Sequence, residues 1–105
     1  MASQFDERSA QRDPQLLLLL SLASGPKHGY AMMEDVATFA GVRLGPGTLY
    51  GALARLERDG LVESVDSDDR RRPYRLTKAG GDRLRVQLEG FGQLVQVGRR
   101  RLASR

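Results

Sequence analysis

Residues Leu16 to Leu20 are five consecutive leucines set between Asp13-Pro14 and Gly25-Pro26. Aspartate followed by proline is a helix start, because the carboxylate can cap a free N–H of the first turn and proline lacks a donor that this turn leaves unused. Glycine followed by proline is a stop. The leucines therefore lie on a short helix, predicted over Gln15 to Ser24, that is apolar on every side. Such a helix must be covered on more than one face, by the rest of its domain or by a second subunit. At 105 residues the chain has room for one domain, and a chain of this size buries only a modest part of its surface alone.

The punctuation continues beyond the leucines. A second helix is predicted from Gly29 to Ala40, with Tyr30, Met33 and Ala37 along one line, Met32, Val36, Phe39 and Ala40 along another, and Gly41 as its stop. Gly45-Pro46 opens a third, in which Leu49, Ala52, Leu53 and Leu56 recur at i, i+3, i+4 and i+7, and Gly60 ends it. The period then changes. Leu61 to Val65 and Tyr74 to Thr77 are short β-type segments separated by the polar stretch Asp66 to Pro73, which reads as a hairpin. Thr77 caps a last helix from Lys78 to near Leu102, where Leu84, Leu88, Phe91, Val95 and Leu102 form a heptad seam interrupted at Gly98, widened by Leu94 and Val97.

Three helices, a two-stranded hairpin and a long helix make a mostly α chain with a small β component. That order is the winged helix-turn-helix plan followed by a dimerisation helix. The expected division is a flexible arm over 1–12, a DNA-binding domain over 13–77 and a dimerisation helix over 78–105. Leu16, Leu20, Leu84, Leu88, Phe91, Leu94, Val95 and Leu102 are the expected subunit interface. A pocket for a small apolar effector between subunits, lined by Leu16, Leu20, Leu88, Phe91 and Val95, is the alternative use of the same residues, with simple packing of the dimer core favoured.

Charge agrees with an anionic partner. Seventeen basic side chains stand against 13 acidic ones, a net charge of +4, and all of the basic residues but Lys27 and Lys78 are arginine, the side chain suited to bidentate phosphate or guanine contacts. On a helical wheel the third helix turns Gly47, Gly51, Ala54, Arg55 and Arg58 away from its apolar side, with Thr48 and Tyr50 on the flanks. Small residues at the entry admit a close backbone or base edge, and Gly51 costs about 1 kcal/mol against alanine inside a helix unless something requires it. In the hairpin, Arg70, Arg71, Arg72 and Arg75 are placed to meet phosphates or the minor groove. Lys27, His28 and Tyr30, at the start of the second helix, complete the expected DNA-facing set, with His28 read as a capping or phosphate-facing residue.

These stretches resemble the PadR family of transcriptional regulators. The likeness rests on LLLSLASGPKHGY from Leu18 to Tyr30, on Gly45-Pro46-Gly47-Thr48-Leu49-Tyr50, on Leu53-Ala54-Arg55-Leu56-Glu57-Arg58-Asp59-Gly60-Leu61-Val62, and on Tyr74-Arg75-Leu76-Thr77-Lys78-Ala79-Gly80. It covers about Leu16 to Leu84. It implies a two-fold dimer that represses transcription and is commonly released from its operator by a small molecule, in the short form where the first helix and a single C-terminal helix build the interface. Gly51 departs from the proline common after the tyrosine. The last helix also lacks the tryptophan with which some multidrug-binding relatives stack flat aromatic ligands.

Other classes find less support. An enzyme would have to work with one histidine, no cysteine and no carboxylate pair beside a nucleophile, and Gly45 to Gly51 matches neither a dinucleotide nor a P-loop pattern. Asp66, Asp68 and Asp69 lack the glycine and glutamate of a calcium loop. Without cysteine there is neither a disulfide nor a thiolate metal site, and no cofactor is expected. No apolar run approaches the roughly 18 residues of a membrane span, so the protein is expected in the cytoplasm with double-stranded DNA and a second copy of itself as partners. A winged-helix module that binds only proteins is the remaining rival, separable by whether random duplex DNA is shifted at low salt.

Overall fold

The computed structural model describes residues 13–65 and 72–105. The expectations placed on 1–12, on Asp66, Asp68 and Asp69, and on Arg70 and Arg71 lie outside the described residues. The elements run α1 (Pro14–Leu22), α2 (Gly29–Ala40), α3 (Pro46–Arg58), β1 (Val62–Ser64), β2 (Tyr74–Leu76) and α4 (Lys78–Ala103). This is the mostly helical plan with a small hairpin that the periodicity predicts. Among the described residues, no helix is long and apolar enough to cross a membrane.

Asp13 holds extended backbone, and its carboxylate accepts the Gln15 N–H at 3.1 Å with Pro14 in the first turn of α1. The helix ends two residues before the predicted Ser24. Its last-turn carbonyl at Ser21 accepts from the Lys27 ammonium and the Ser24 hydroxyl, and Gly25 follows at φ 135°, where side chains rarely go. Leu16, Leu17, Leu18, Leu19 and Leu22 are all buried, and their cover comes from α2, α3, β2 and α4 of the same chain. Met32, Val36, Leu44, Leu49, Leu53, Leu56 and Val62 pack into the same core, each fully buried side chain contributing roughly 1.5–3 kcal/mol.

The hairpin pairs Val62 with Leu76, Glu63 with Arg75 and Ser64 with Tyr74 in antiparallel register. It has a third member that the sequence does not announce. Lys27, in the connection between α1 and α2, donates its N–H to the Tyr74 carbonyl at 3.0 Å and accepts the Tyr74 N–H at 2.8 Å. This one-residue bridge ties the hairpin to the start of α2.

Helix α4 begins where Thr77 Oγ1 accepts the Gly80 N–H at 3.0 Å, as predicted for its cap. Only its first turns reach the core. Leu84 and Leu16, both expected at the subunit interface, are 5% and 6% exposed within one chain, because the start of α4 packs against α1 and β2. They belong to the protomer's own core. Beyond Leu84 no residue of α4 is buried, and Leu88, Phe91, Leu94, Val95 and Leu102 remain exposed.

Candidate nucleic-acid interface

The inner side of α3 packs into the core through Leu49, Ala52, Leu53 and Leu56, which leaves Gly47, Thr48, Tyr50, Gly51, Ala54, Arg55 and Arg58 exposed. Among the described residues nothing requires glycine at 47 or 51: neither has positive φ, and a Cβ at either would meet open space. Gly29 is the opposite case. A Cβ there would lie 2.5 Å from Tyr50 Oη and 3.0 Å from Tyr50 Cζ, so the phenol of α3 lies over the first residue of α2. Tyr50 thus joins two helices along one edge while half of it stays exposed.

The hairpin meets α3 through a second tyrosine. Burial pushes the Tyr74 phenol above its ordinary pKa, the charges of Glu57 and of Tyr50 push the same way, and Arg72 opposes them. Tyr50, Glu57, Tyr74 and Arg72 therefore lie within electrostatic reach of one another, at the junction of the recognition helix and the wing. Arg75 projects from β2 but is paired across the strands with Glu63 at 2.8 Å, and Arg58 lies 3.5 Å from Asp59. Arg55 and Arg72 are exposed and form no ion pair among the described residues.

At the start of α2, His28 occupies the N-cap position without a side-chain capping bond, and both it and Tyr30 are exposed. Lys27 is placed differently from the expectation. Its ammonium is turned inward, donating to the Ser21 carbonyl and to Ser24 Oγ at 2.6 Å, with Asp35 3.9 Å away, and Asp35 in turn accepts from the buried Ser21 hydroxyl at 2.7 Å. Lys27 therefore works as a cap on the C-terminus of α1, where its charge also suits the helix dipole. Lys27→Met keeps the aliphatic stem and removes the cap. It should lower stability by roughly 1–3 kcal/mol and leave the salt dependence of DNA binding unchanged. A wild-type melting temperature together with a reduced salt slope would put the ammonium on a phosphate instead.

Clefts open at two places among the described residues. One, of about 330 Å³, runs between the start of α1 and the outer side of α3 and is walled by Asp13, Gln15, Gly47, Thr48, Gly51 and Arg55 among others. The other, of about 550 Å³, is apolar and lies between α1, α2 and α4, lined by Leu16, Leu17, Leu20, Phe39, Ala40, Leu88 and Phe91. In the sequence Phe39 and Ala40 stand out only as part of a helix stripe, and the structure leaves Phe39, two residues before Gly41, half exposed as an open apolar surface. Asp13 and Gln15 stand out there only as a helix start. Among the described residues, no three His, Cys, Asp or Glu side chains come together to hold a metal.

A compact helix-turn-helix, a two-stranded wing whose first strand packs on α3, and a long helix with an uncovered stripe define a DNA-binding winged-helix regulator. The chain belongs to the PadR-like family of transcriptional regulators, which it matches over residues 17–86, and that is not a family of enzymes. It is 40% identical over 77 residues to transcriptional regulator Rv3488 of Mycobacterium tuberculosis, covering 70% of this chain and 68% of that protein. Over 82 residues it is 46% identical to a 37.1 kDa protein of transposon TN4556 from Streptomyces fradiae. That match covers 78% of this chain and 24% of the transposon protein, so the chain spans about a quarter of that relative's length. A crystal structure of a PadR family transcription regulator from Clostridium difficile aligns with a TM-score of 0.75 at 26% identity, covering 85% of this chain and 97% of that one.

Proposed function

We propose that this protein is a cytoplasmic transcriptional repressor that binds a pseudo-palindromic operator as a homodimer. In this reading residues 13–77 form the DNA-binding domain and 78–105 supply the dimer interface. The observation that carries it is the outer face of α3: glycines at 47 and 51 that no described residue requires, followed by an exposed Arg55 without an ion pair among the described residues, beside the wing. Two α3 helices related by the dimer axis would enter successive major grooves about 34 Å apart, with Thr48, Tyr50 and Arg55 toward base edges and Arg72 toward phosphate. His28 and Tyr30 lie at the margin of this surface. Leu88, Phe91, Leu94, Val95 and Leu102 supply the uncovered stripe for the partner, together with Leu20, which one chain leaves half-buried. The apolar cleft beneath Leu88 and Phe91 is of a size that accepts a small effector, whose entry would change the separation of the two α3 helices.

The wing supplies the test. Alanine at Arg70, Arg71 and Arg72 should weaken binding to every sequence alike and reduce the slope of log affinity against log salt by about 0.9 for each phosphate no longer neutralised, up to about five units over two wings. Melting temperature should hardly move, because substitutions of side chains that serve DNA contacts and not packing usually change stability by less than about 0.5 kcal/mol. A triple variant with wild-type affinity and salt slope would remove the wing from the interface.

A further inference from the structure

We propose that the first turn of α1 is a second base-reading element, in which Asp13 and Gln15 determine sequence preference together with α3. The inference rests on the DNA-binding reading above. The cleft of about 330 Å³ between the two helices has one wall that is nearly bare, because Gly47 and Gly51 place only backbone there. The other wall is formed by Asp13, Pro14 and Gln15, and Thr48 and Arg55 stand on the recognition-helix side. A strand edge that reaches Thr48 and Arg55 through the gap left by the glycines is thereby brought against Asp13 and Gln15.

The chemistry of the cleft selects what enters. One Asp13 oxygen accepts the Gln15 N–H at 3.1 Å, so the start of α1 is already capped by an anion of its own and repels a phosphate. Asp13 and Arg55 do not pair with each other, and the Gln15 carboxamide has no hydrogen-bond partner among the described residues. A carboxylate beside a carboxamide matches the edge of a base that carries an exocyclic amine. Carboxylates accept from cytosine N4, and glutamine pairs with adenine N6 and N7 in the major groove. Such groups add discrimination rather than general affinity, since the carboxylate is unfavourable near the DNA backbone wherever the correct base is missing.

The test is selection from a randomised duplex pool by the wild-type protein, by Gln15→Ala and by Asp13→Asn, the last of which keeps a good helix cap. Both variants should lose preference at the same one or two positions of each half-site, by between about 5- and 150-fold. Binding to random duplex should be unchanged for Gln15→Ala and tighter for Asp13→Asn, which removes a negative charge. Identical consensus sequences from all three proteins would overturn the inference. So would an equal loss of affinity of Gln15→Ala for every sequence, which would place that side chain on phosphate. A wild-type protein that enriches no sequence would overturn both this inference and the reading on which it rests.

Discussion

Gly80→Ala should cost this protein a large part of its stability. A Cβ at position 80 would lie 1.9 Å from the Leu61 carbonyl oxygen, 2.9 Å from its carbon and 3.2 Å from Leu76 Cδ2. The carbonyl cannot simply turn away, because it accepts the Thr77 N–H at 3.1 Å, while Thr77 Oγ1 donates to the Gly60 carbonyl at 2.6 Å and accepts from Gly80. Relieving the clash means moving the first turn of α4 off the end of α3 and giving up the Thr77 cap. Overpacking of this kind costs about 1–3 kcal/mol or more, and loss of a cap about 0.5–2 kcal/mol. The better helix propensity of alanine offsets about 1 kcal/mol of this. With an approach of 1.9 Å to a backbone carbonyl both costs fall in the upper half of their ranges, and the net loss of roughly 2–4 kcal/mol corresponds to a fall in melting temperature of about 8–32 °C for a domain of this size. Gly51→Ala is the internal control, since its Cβ enters open space and the same propensity should raise the melting temperature. Equal melting temperatures for Gly80→Ala and wild type would show that the junction is not closed in this way.

Leu88→Glu should give a folded monomer that no longer binds its operator tightly. Leu88 is 45% exposed and Phe91 37% exposed in one chain, so a carboxylate at 88 still reaches water in a lone protomer, whose core ends at Leu84. In the dimer the same carboxylate would be buried without a partner, at a cost that outweighs the apolar burial the interface gains. Splitting the dimer turns a linked pair of half-site contacts into two independent ones, a loss of about 10²- to 10⁴-fold in affinity for the full site. Sedimentation and a far-ultraviolet melt check the two halves of the expectation. A fully dimeric, folded Leu88→Glu protein would place the interface elsewhere.

Helix boundaries are legible in the sequence because their determinants lie within a few residues. The Asp13 carboxylate reaches Gln15, Thr77 reaches Gly80, and Gly41 and Gly60 take the positive φ that ends a helix. The α2 limits, Gly29 and Ala40, agree with the periodicity residue for residue. The outer face of α3 is readable for the same reason, since once Leu49, Leu53 and Leu56 face the core, the positions opposite them have nowhere else to point.

Periodicity identifies a face without identifying what lies against it. Leu84 and Leu88 occupy the same seam of α4, yet only the packing of its first turns on α1 and β2 decides that one is core and the other surface. Lys27 looks like a free cation in the sequence, but its ammonium is claimed by α1 and its backbone by Tyr74, 47 positions away. Gly51 and Gly80 are both glycines inside helices. One is met by open space and the other by a carbonyl from residue 61, an approach that no local pattern encodes. Where helices and strands begin and which sides are apolar follow from the order of residues, because capping and side-chain period act over three or four residues. Which charges are paired, which glycines are obligatory and that Asp13 shares a cleft with α3 depend on segments that meet only when the chain is folded.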